Sequence, residues 1–286
     1  MKIITHDGQF HPDEIFAIVL LQHFFSPHVD VVRTRDEEAL KEAMENPDIF
    51  VVDVGFHCDY DMKNFDHHFS EFKKMNSRGN MMSSCGLVWD YIKDSYLVRS
   101  YCSDHLIYKI EEFCDKIDRQ DNGVDYFPEV SFISSFNNYS EYPKVNFEHA
   151  FDAAANYFQC LMNAWTKQDK NNRIMQLALK EAKDGIIFCE EHISVTKLAN
   201  ATDNKLIVSP RKEGEWSIVT LNEGLEIDFS SRCPAPLSWR GHQKEKLQGI
   251  SGFPQLEFCH KTGFMSIVHG TKEEALEVAK YIIEIN

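Results

Sequence analysis

Three groups of acidic and imidazole side chains stand out in the first 68 residues: His6-x4-His11-x-Asp13, a lone Asp53, and the run Phe65-Asp66-His67-His68. Each sits at or just past the end of a short apolar run. Ile3-Ile4 precedes His6, and Ile49-Phe50-Val51-Val52 leads directly into Asp53. Carboxylate and imidazole are the ligands of hard or borderline divalent cations that must keep positions open for water and substrate. Asp13 alone would pass for a carboxylate at a helix N-terminus, and His67-His68 for polar loop residues. Asp53 resists so plain a reading, because a carboxylate ending a fully apolar strand is costly to bury without a partner. Together the three groups point to one metal site assembled from the first half of the chain.

The elements that must position these groups alternate. Ile3-Ile4-Thr5 is predicted as a short strand. Residues 13–25 follow as a helix with Ile15, Phe16, Val19, Leu20 and Phe24 on one face. Residues 29–34 alternate like a strand, 36–44 read as a helix with Ala39, Leu40 and Ala43 inward, 48–54 as a buried strand and 83–94 as a helix. Repeated strand–helix–strand units of this length predict an α/β fold with a mainly parallel sheet flanked by helices. Ligands of such sheets bind beyond the carboxyl ends of the strands, where His6 and Asp53 fall.

A further helix is predicted over 104–118, ending near Asp118-Arg119-Gln120-Asp121-Asn122-Gly123. Residues 146–192 have a helical pattern with a break around Gln168-Asp169-Lys170-Asn171-Asn172. From Lys205 the style changes. Strands at 206–208 and 216–219 flank the turn Pro210–Gly214, strands at 256–259 and 265–268 flank Lys261-Thr262-Gly263, and Thr271 caps a last helix to Ile283. The expected division is a metal-binding catalytic domain over 1–168 and a smaller α+β domain, with its connecting helix, over 169–286.

Composition narrows the function. The chain has 286 residues, 43% apolar and 26% charged, as expected of a soluble globular protein. No apolar run reaches the ~18 residues of a membrane span, and a strand-like segment begins at once after Met1. An intracellular, cytoplasmic protein without membrane contact is therefore expected. The eight cysteines show no C-x-x-C pair and no zinc-knuckle spacing, and read as reduced and mostly buried. The formal net charge is −15, of which residues 205–286 carry −1 and the first 204 carry −14. So acidic a surface argues against gripping long duplex DNA, which needs a broad basic face. A short oligonucleotide or nucleotide remains compatible, because bound divalent cations locally reverse the sign of an acidic cluster.

Taken in order, His6-Asp7-Gly8-Gln9-Phe10-His11-Pro12-Asp13-Glu14, Val51-Val52-Asp53-Val54-Gly55 and Phe65-Asp66-His67-His68 resemble the motifs of the DHH phosphoesterase superfamily. More narrowly, the chain resembles the melanocyte-proliferating-gene family of DHH-type exonucleases, formerly described as metal-dependent protein hydrolases. That likeness extends through Ser83-Ser84-Cys85-Gly86-Leu87-Val88, Ile117–Gly123, Ser238-Trp239-Arg240-Gly241 and Phe258–Phe264, and so spans nearly the whole chain. The chain departs from the pattern at Pro12, where a cysteine is common, in Met265–Gly270, and in the segment before Arg232.

The resemblance implies two divalent cations, manganese first and magnesium as the alternative, with the active site in a cleft between the two domains. His6, His11 and Asp13 would be ligands from the first loop, Asp53 would bridge, and His67 would bind. Asp121 would supply the fourth motif, with Asp118 the alternative. His68 would face the scissile phosphate, and Asp66 would orient an imidazole. In-line attack on phosphorus also needs positive groups around the non-bridging oxygens, for which Arg232, Arg240 and His260 are the candidates. The function implied is metal-dependent hydrolysis of phosphodiester bonds, as an exonuclease on short RNA or DNA. The alternatives are an inorganic pyrophosphatase, a cyclic-dinucleotide phosphodiesterase, or a metal-stabilised binding protein without catalysis.

Overall fold

The computed structural model describes residues 1–227 and 230–286. The chain divides into two compact units, Met1–Thr166 and Lys167–Asn286. The first is built around a five-stranded sheet, β1 (Lys2–Thr5), β2 (Asp30–Arg33), β3 (Ile49–Val52), β4 (Cys58–Asp59) and β5 (Asn64–Phe65), in the order β2-β1-β3-β5-β4. Neighbours from β2 to β5 pair in parallel, and β4 closes the edge antiparallel to β5.

Both faces of this sheet are covered. Along β1, Ile3 joins the large core while Ile4 turns to a smaller cluster with Leu40, Ala43, Val51 and Val54. That opposite pointing of neighbours is the period of a strand buried on both sides. The smaller cluster is roofed by α2 (Glu37–Met44). The larger one packs α1 (Pro12–Phe24), α3 (Ser84–Ile92), α4 (Tyr96–Tyr101) and α5 (Asp104–Asp121), with aromatic contacts such as Phe16 on Phe113. Helix α1 is buried on nearly every side, from Pro12 through Leu21. After α5 come the single turn α6 (Pro128–Ser131) and the 38-residue α7 (Pro143–Lys180).

Helix α7 corrects the expected break at 168–172. That run is polar but holds neither glycine nor proline, and Asp169 pairs with Arg173 one turn on at 2.8 Å, which supports an exposed helix. The helix stops at Lys180, short of the expected 192. Ile186–Phe188 is instead a strand, β6, because it pairs in parallel with the next strand, β7.

The second unit holds a sheet of β6, β7 (Leu206–Lys212), β8 (Glu215–Thr220), β9 (Leu256–Cys259) and β10 (Met265–His269), in the order β6-β7-β8-β10-β9. Apart from β6–β7 its pairs are antiparallel. Helix α8 (Lys197–Asn200) is one turn. Helix α9 (Lys244–Ser251) lies by β9, and α10 (Lys272–Glu284) buries Ala275, Val278, Ala279 and Ile282. Thr271 caps α10 as expected, in a reciprocal box with Glu274. The fold is therefore α/β, with a mainly parallel sheet flanked by helices in one unit and a smaller α+β arrangement in the other.

Candidate metal centre

The strand order explains why distant residues meet. β1, β3 and β5 lie side by side and run the same way, with Thr5 opposite Val52 and Val52 opposite Phe65. His6, Asp53 and Asp66 are the next residues after each strand, so all three emerge at one edge of the sheet. Helix α1 begins there too, with Asp13 and Glu14 in its first turn. A helix N-terminus stabilises carboxylates, which suits two side chains that are both fully buried.

His6 donates through Nδ1 to the Asp7 carbonyl at 2.8 Å. Its Nε2 then faces Glu14 Oε1 at 3.0 Å and Asp53 Oδ2 at 3.4 Å. Asp53 Oδ1 stands 3.4 Å from His67 Nε2 and 3.5 Å from His68 Nδ1. His67 Nε2 also lies 3.3 Å from Asp121 Oδ2 and 3.7 Å from Asp13 Oδ2. Three sets of donor atoms each fall within 4.8 Å: His6, Glu14 and Asp53; Asp53, His67 and His68; His11, Asp13 and Asp121. Asp53 belongs to two of them, one through each carboxylate oxygen. Its backbone is left-handed, at φ 60°, a conformation aspartate tolerates better than most residues.

The charges are mutually stressed. Burial pushes Asp13 up, assisted by Asp53, to about 6. Burial, then Asp13, pushes Asp121 up to about 8. Burial would lower the two inner histidines, but the carboxylates of Asp53 and Glu14 beside it carry His6 to about 10, and those of Asp13 and Asp53 carry His67 to about 11. Burial would raise Asp53, but the imidazoles of His6 and His67 facing it hold it well below the usual carboxylate range. A cluster this rich in carboxylate draws positive charge into itself. Three of its buried atoms, Asp13 Oδ1, Asp53 Oδ2 and His67 Nε2, have no hydrogen-bond partner among the described residues. Unpaired buried polar atoms are costly, and each of these three belongs to a residue in one of the donor sets above, where a bound cation would satisfy it.

The residues singled out from sequence fall out unevenly. His6, His11, Asp13, Asp53, His67 and Asp121 come together. Asp118, the alternative to Asp121, does not join them: its carboxylate accepts the Ser83 amide and hydroxyl, both at 2.8 Å, and the Asn76 amide at 3.0 Å. Asp66 accepts the amides of Phe56 and His68 and the Nδ1 of His68 at 2.8 Å. It orients His68, whose side chain is 46% exposed. The Asp66 bond, first among the causes, raises the His68 pKa.

Arg232 has a different task from the expected one. Its Nη1 donates to the carbonyls of Thr202 and Asn204, and its Nη2 to those of Asn200 and Asn222 at 3.0 and 2.9 Å. Four carbonyls consume both terminal nitrogens, so Arg232 ties loops together within the second unit. Arg240 commits its Nε to the Ala235 carbonyl at 2.8 Å, and His260 bonds Thr262 at 2.9 Å.

Two participants escaped the sequence reading. Glu14 accepts from the Thr5 hydroxyl and the His11 amide while touching His6. Ser84, at the start of α3, donates its hydroxyl to Asp53 at 2.8 Å and its amide to Asp13 at 3.3 Å. The adjacent pairs Asp13-Glu14 and Ser83-Ser84 were the available signals, and neither differs from ordinary helix-start residues.

Strand-end aspartates and histidines thus meet at one edge of the first sheet, in a chain whose relatives match it over nearly its whole length. The model of an uncharacterised protein family (UPF0160), the MYG1 exonuclease family, matches residues 2–283, and the chain belongs to that family. It is 27% identical to a MYG1 protein of Caenorhabditis elegans, covering 98% of this chain and 94% of that one. It is likewise 27% identical to the MYG1 exonuclease of Rattus norvegicus, over 98% and 84%. Among solved structures, a pGpG-specific phosphodiesterase of Vibrio cholerae matches at 11% identity over 100% of this chain and 98% of the other, with a TM-score of 0.34. RecJ of Thermus thermophilus in complex with Mn2+ matches at 10% identity over 99% and 52%, with a TM-score of 0.30. Membership makes the chain a hydrolase. No helix among the described residues is long and apolar enough to cross a membrane.

Proposed function

We propose that this chain is a divalent-cation-dependent phosphodiesterase that removes nucleotides from one end of short RNA or DNA. The observation that carries the reading is Asp53: a buried strand-end carboxylate whose two oxygens face two separate sets of imidazole and carboxylate donors. His6, His11, Asp13, Asp53, His67 and Asp121 would hold two cations, manganese by preference. When bound, the pair supplies Lewis-acid charge at a phosphoryl oxygen and acidifies a water.

The protein's own residues supply the rest. Asp66 fixes His68 through Nδ1, leaving Nε2 for the substrate. A pKa raised by Asp66 keeps that imidazole protonated further into the neutral range. As water attacks phosphorus and the P–O bond breaks, His68 gives its proton to the leaving oxygen. Ser84 and Glu14 hold Asp53 and His6 in place during this exchange. The relatives named MYG1 exonuclease support the nucleic-acid substrate, and the chain's net charge of −15 favours short over long strands.

End-labelled RNA and DNA oligonucleotides incubated with manganese test the reading. A ladder shortening from one end, abolished by chelator, is expected. Turnover of pyrophosphate or of a cyclic dinucleotide with inert oligonucleotides would overturn the nuclease assignment, and inertness towards all of them would overturn catalysis.

A further inference from the structure

The loop that follows Asp53 places an aromatic side chain where the proposed function has not used one. Asp53, Gly55 and Phe56 all have positive φ, at 60°, 101° and 53°. Between them Val54 is buried against Leu40, Ala43, Ile4 and Val51, which anchors the loop. Gly55 suits its place, since a φ of 101° is a conformation that side chains rarely adopt. Phe56 has no such excuse. A bulky residue in the left-handed region is strained, and burial gives nothing back, because the side chain is 67% exposed. Its ring stacks on no other aromatic ring among the described residues.

The place of the residue gives the expense a use. Phe56 lines a cavity of about 160 Å³ together with His6, His11, Asp53 and His68. Its amide donates to Asp66 Oδ2 at 2.6 Å, while Asp66 Oδ1 holds His68. One carboxylate therefore fixes both the imidazole and the aromatic residue at the rim of the same cavity. Aromatic side chains beside a backbone-binding site serve as platforms for bases, because every base has a π-face.

We propose that Phe56 is the platform on which the base of the terminal nucleotide stacks while its phosphate lies at the carboxylate–imidazole cluster. The inference rests on the phosphodiesterase reading above and assigns that site a preference for substrates ending in a base. The stack is indifferent to base identity and to ribose or deoxyribose. It discriminates against ends that lack a base.

The experiment compares matched oligonucleotides with and without an abasic residue at each end, using the full chain with manganese. The wild type is expected to show a KM about tenfold or more lower for one base-bearing end than for its abasic counterpart, the scale of one base–aromatic stack. Phe56→Ala should erase that difference by raising KM for the base-bearing end, with kcat less affected. Phe56→Tyr, which keeps a ring, should recover most of it. Phe56→Gly should lose the preference while keeping or raising the Tm, since glycine carries no left-handed penalty. A preference that survives Phe56→Ala overturns the stacking role while leaving the phosphodiesterase reading intact. A wild type that cleaves neither oligonucleotide removes both.

Discussion

Ser84 donates its hydroxyl to Oδ1 of Asp53 at 2.8 Å, from 31 residues further along the chain. That bond ties the first turn of α3 to the end of β3 and occupies the oxygen of Asp53 that also faces His67. Ser84→Ala removes a hydrogen bond to a buried carboxylate that must stay ionised. Partners that orient metal ligands in this way are worth about 10- to 100-fold in metal affinity. Manganese titration by calorimetry is expected to show a loss on that scale with the fold kept. Unchanged affinity would make Ser84 a helix-start residue and nothing more.

Asp53→Asn separates charge from shape. Asparagine tolerates the left-handed backbone at φ 60°, and its side-chain oxygen can still accept from Ser84. The far-UV circular dichroism should be unchanged. If each oxygen of Asp53 serves one cation, elemental analysis should show at least one lost together with nearly all activity. Two ions retained at wild-type occupancy would refute the bridging role.

His68 and His67 are neighbours with different surroundings. The His67 side chain is 8% exposed and faces three carboxylates, whereas that of His68 is 46% exposed and held by Asp66. His68→Ala should keep the cations and slow turnover roughly 10²–10⁴-fold, the scale of a general acid or charge-stabilising group. Asp66→Asn should flatten the alkaline side of the pH–rate profile less than it shifts it. A raised folded pKa means His68 stays protonated to higher pH, so weakening the Asp66 bond should move that limb to lower pH. An unmoved limb assigns it to another group.

Much of this site was legible because the sheet edge is written in short apolar runs that end in acids and histidines. β1 and β3 announce themselves, and so does the position of Asp53. The β4–β5 hairpin was hidden, since two residues per strand show no period, yet it is β5 that sets Asp66 beside Asp53. Glu14 and Ser84 were hidden because their partners are remote or their types ordinary at a helix start. Arg232 shows the opposite limit: the sequence displays a cation but not the four carbonyls that consume it.

Asp118 lies one helical turn before Asp121, yet its work is structural. A Cβ on Gly86 would collide with both oxygens of the Asp118 carboxylate. The glycine is what lets α3 and α5 approach closely enough for Asp118 to take its bonds from Ser83. Burial pushes Asp118 up to about 6 although Ser83 and Asn76 favour its charged form. Gly86→Ala is expected to destabilise the first unit by roughly 1–3 kcal/mol, the cost of overpacking a filled interior. Denaturant unfolding measures it. A neutral result would mean that α5 shifts freely, and Asp118 would return as a rival to Asp121.

The cations of the second unit divide by what their nitrogens already hold. Arg232→Ala would strip partners from four carbonyls, each costing roughly 1–3 kcal/mol where it is buried and unsatisfied. A fall in stability is therefore expected, with any loss of activity following the folded fraction. Arg240 keeps its terminal nitrogens out of the Ala235 bond, and guanidinium holds phosphate with a planar fork. His260 follows β9, and its ring bonds Thr262 through Nδ1 and packs edge-on against Phe264. If these two meet the substrate phosphate, Arg240→Ala and His260→Ala should lower kcat/KM on oligonucleotides while metal content and Tm stay put. Steady-state kinetics beside thermal melts decides the matter. A change below about twofold, ~0.4 kcal/mol of transition-state binding, would show that neither residue holds phosphate, and an Arg232→Ala protein that melts like the wild type would show that its four carbonyl bonds are dispensable.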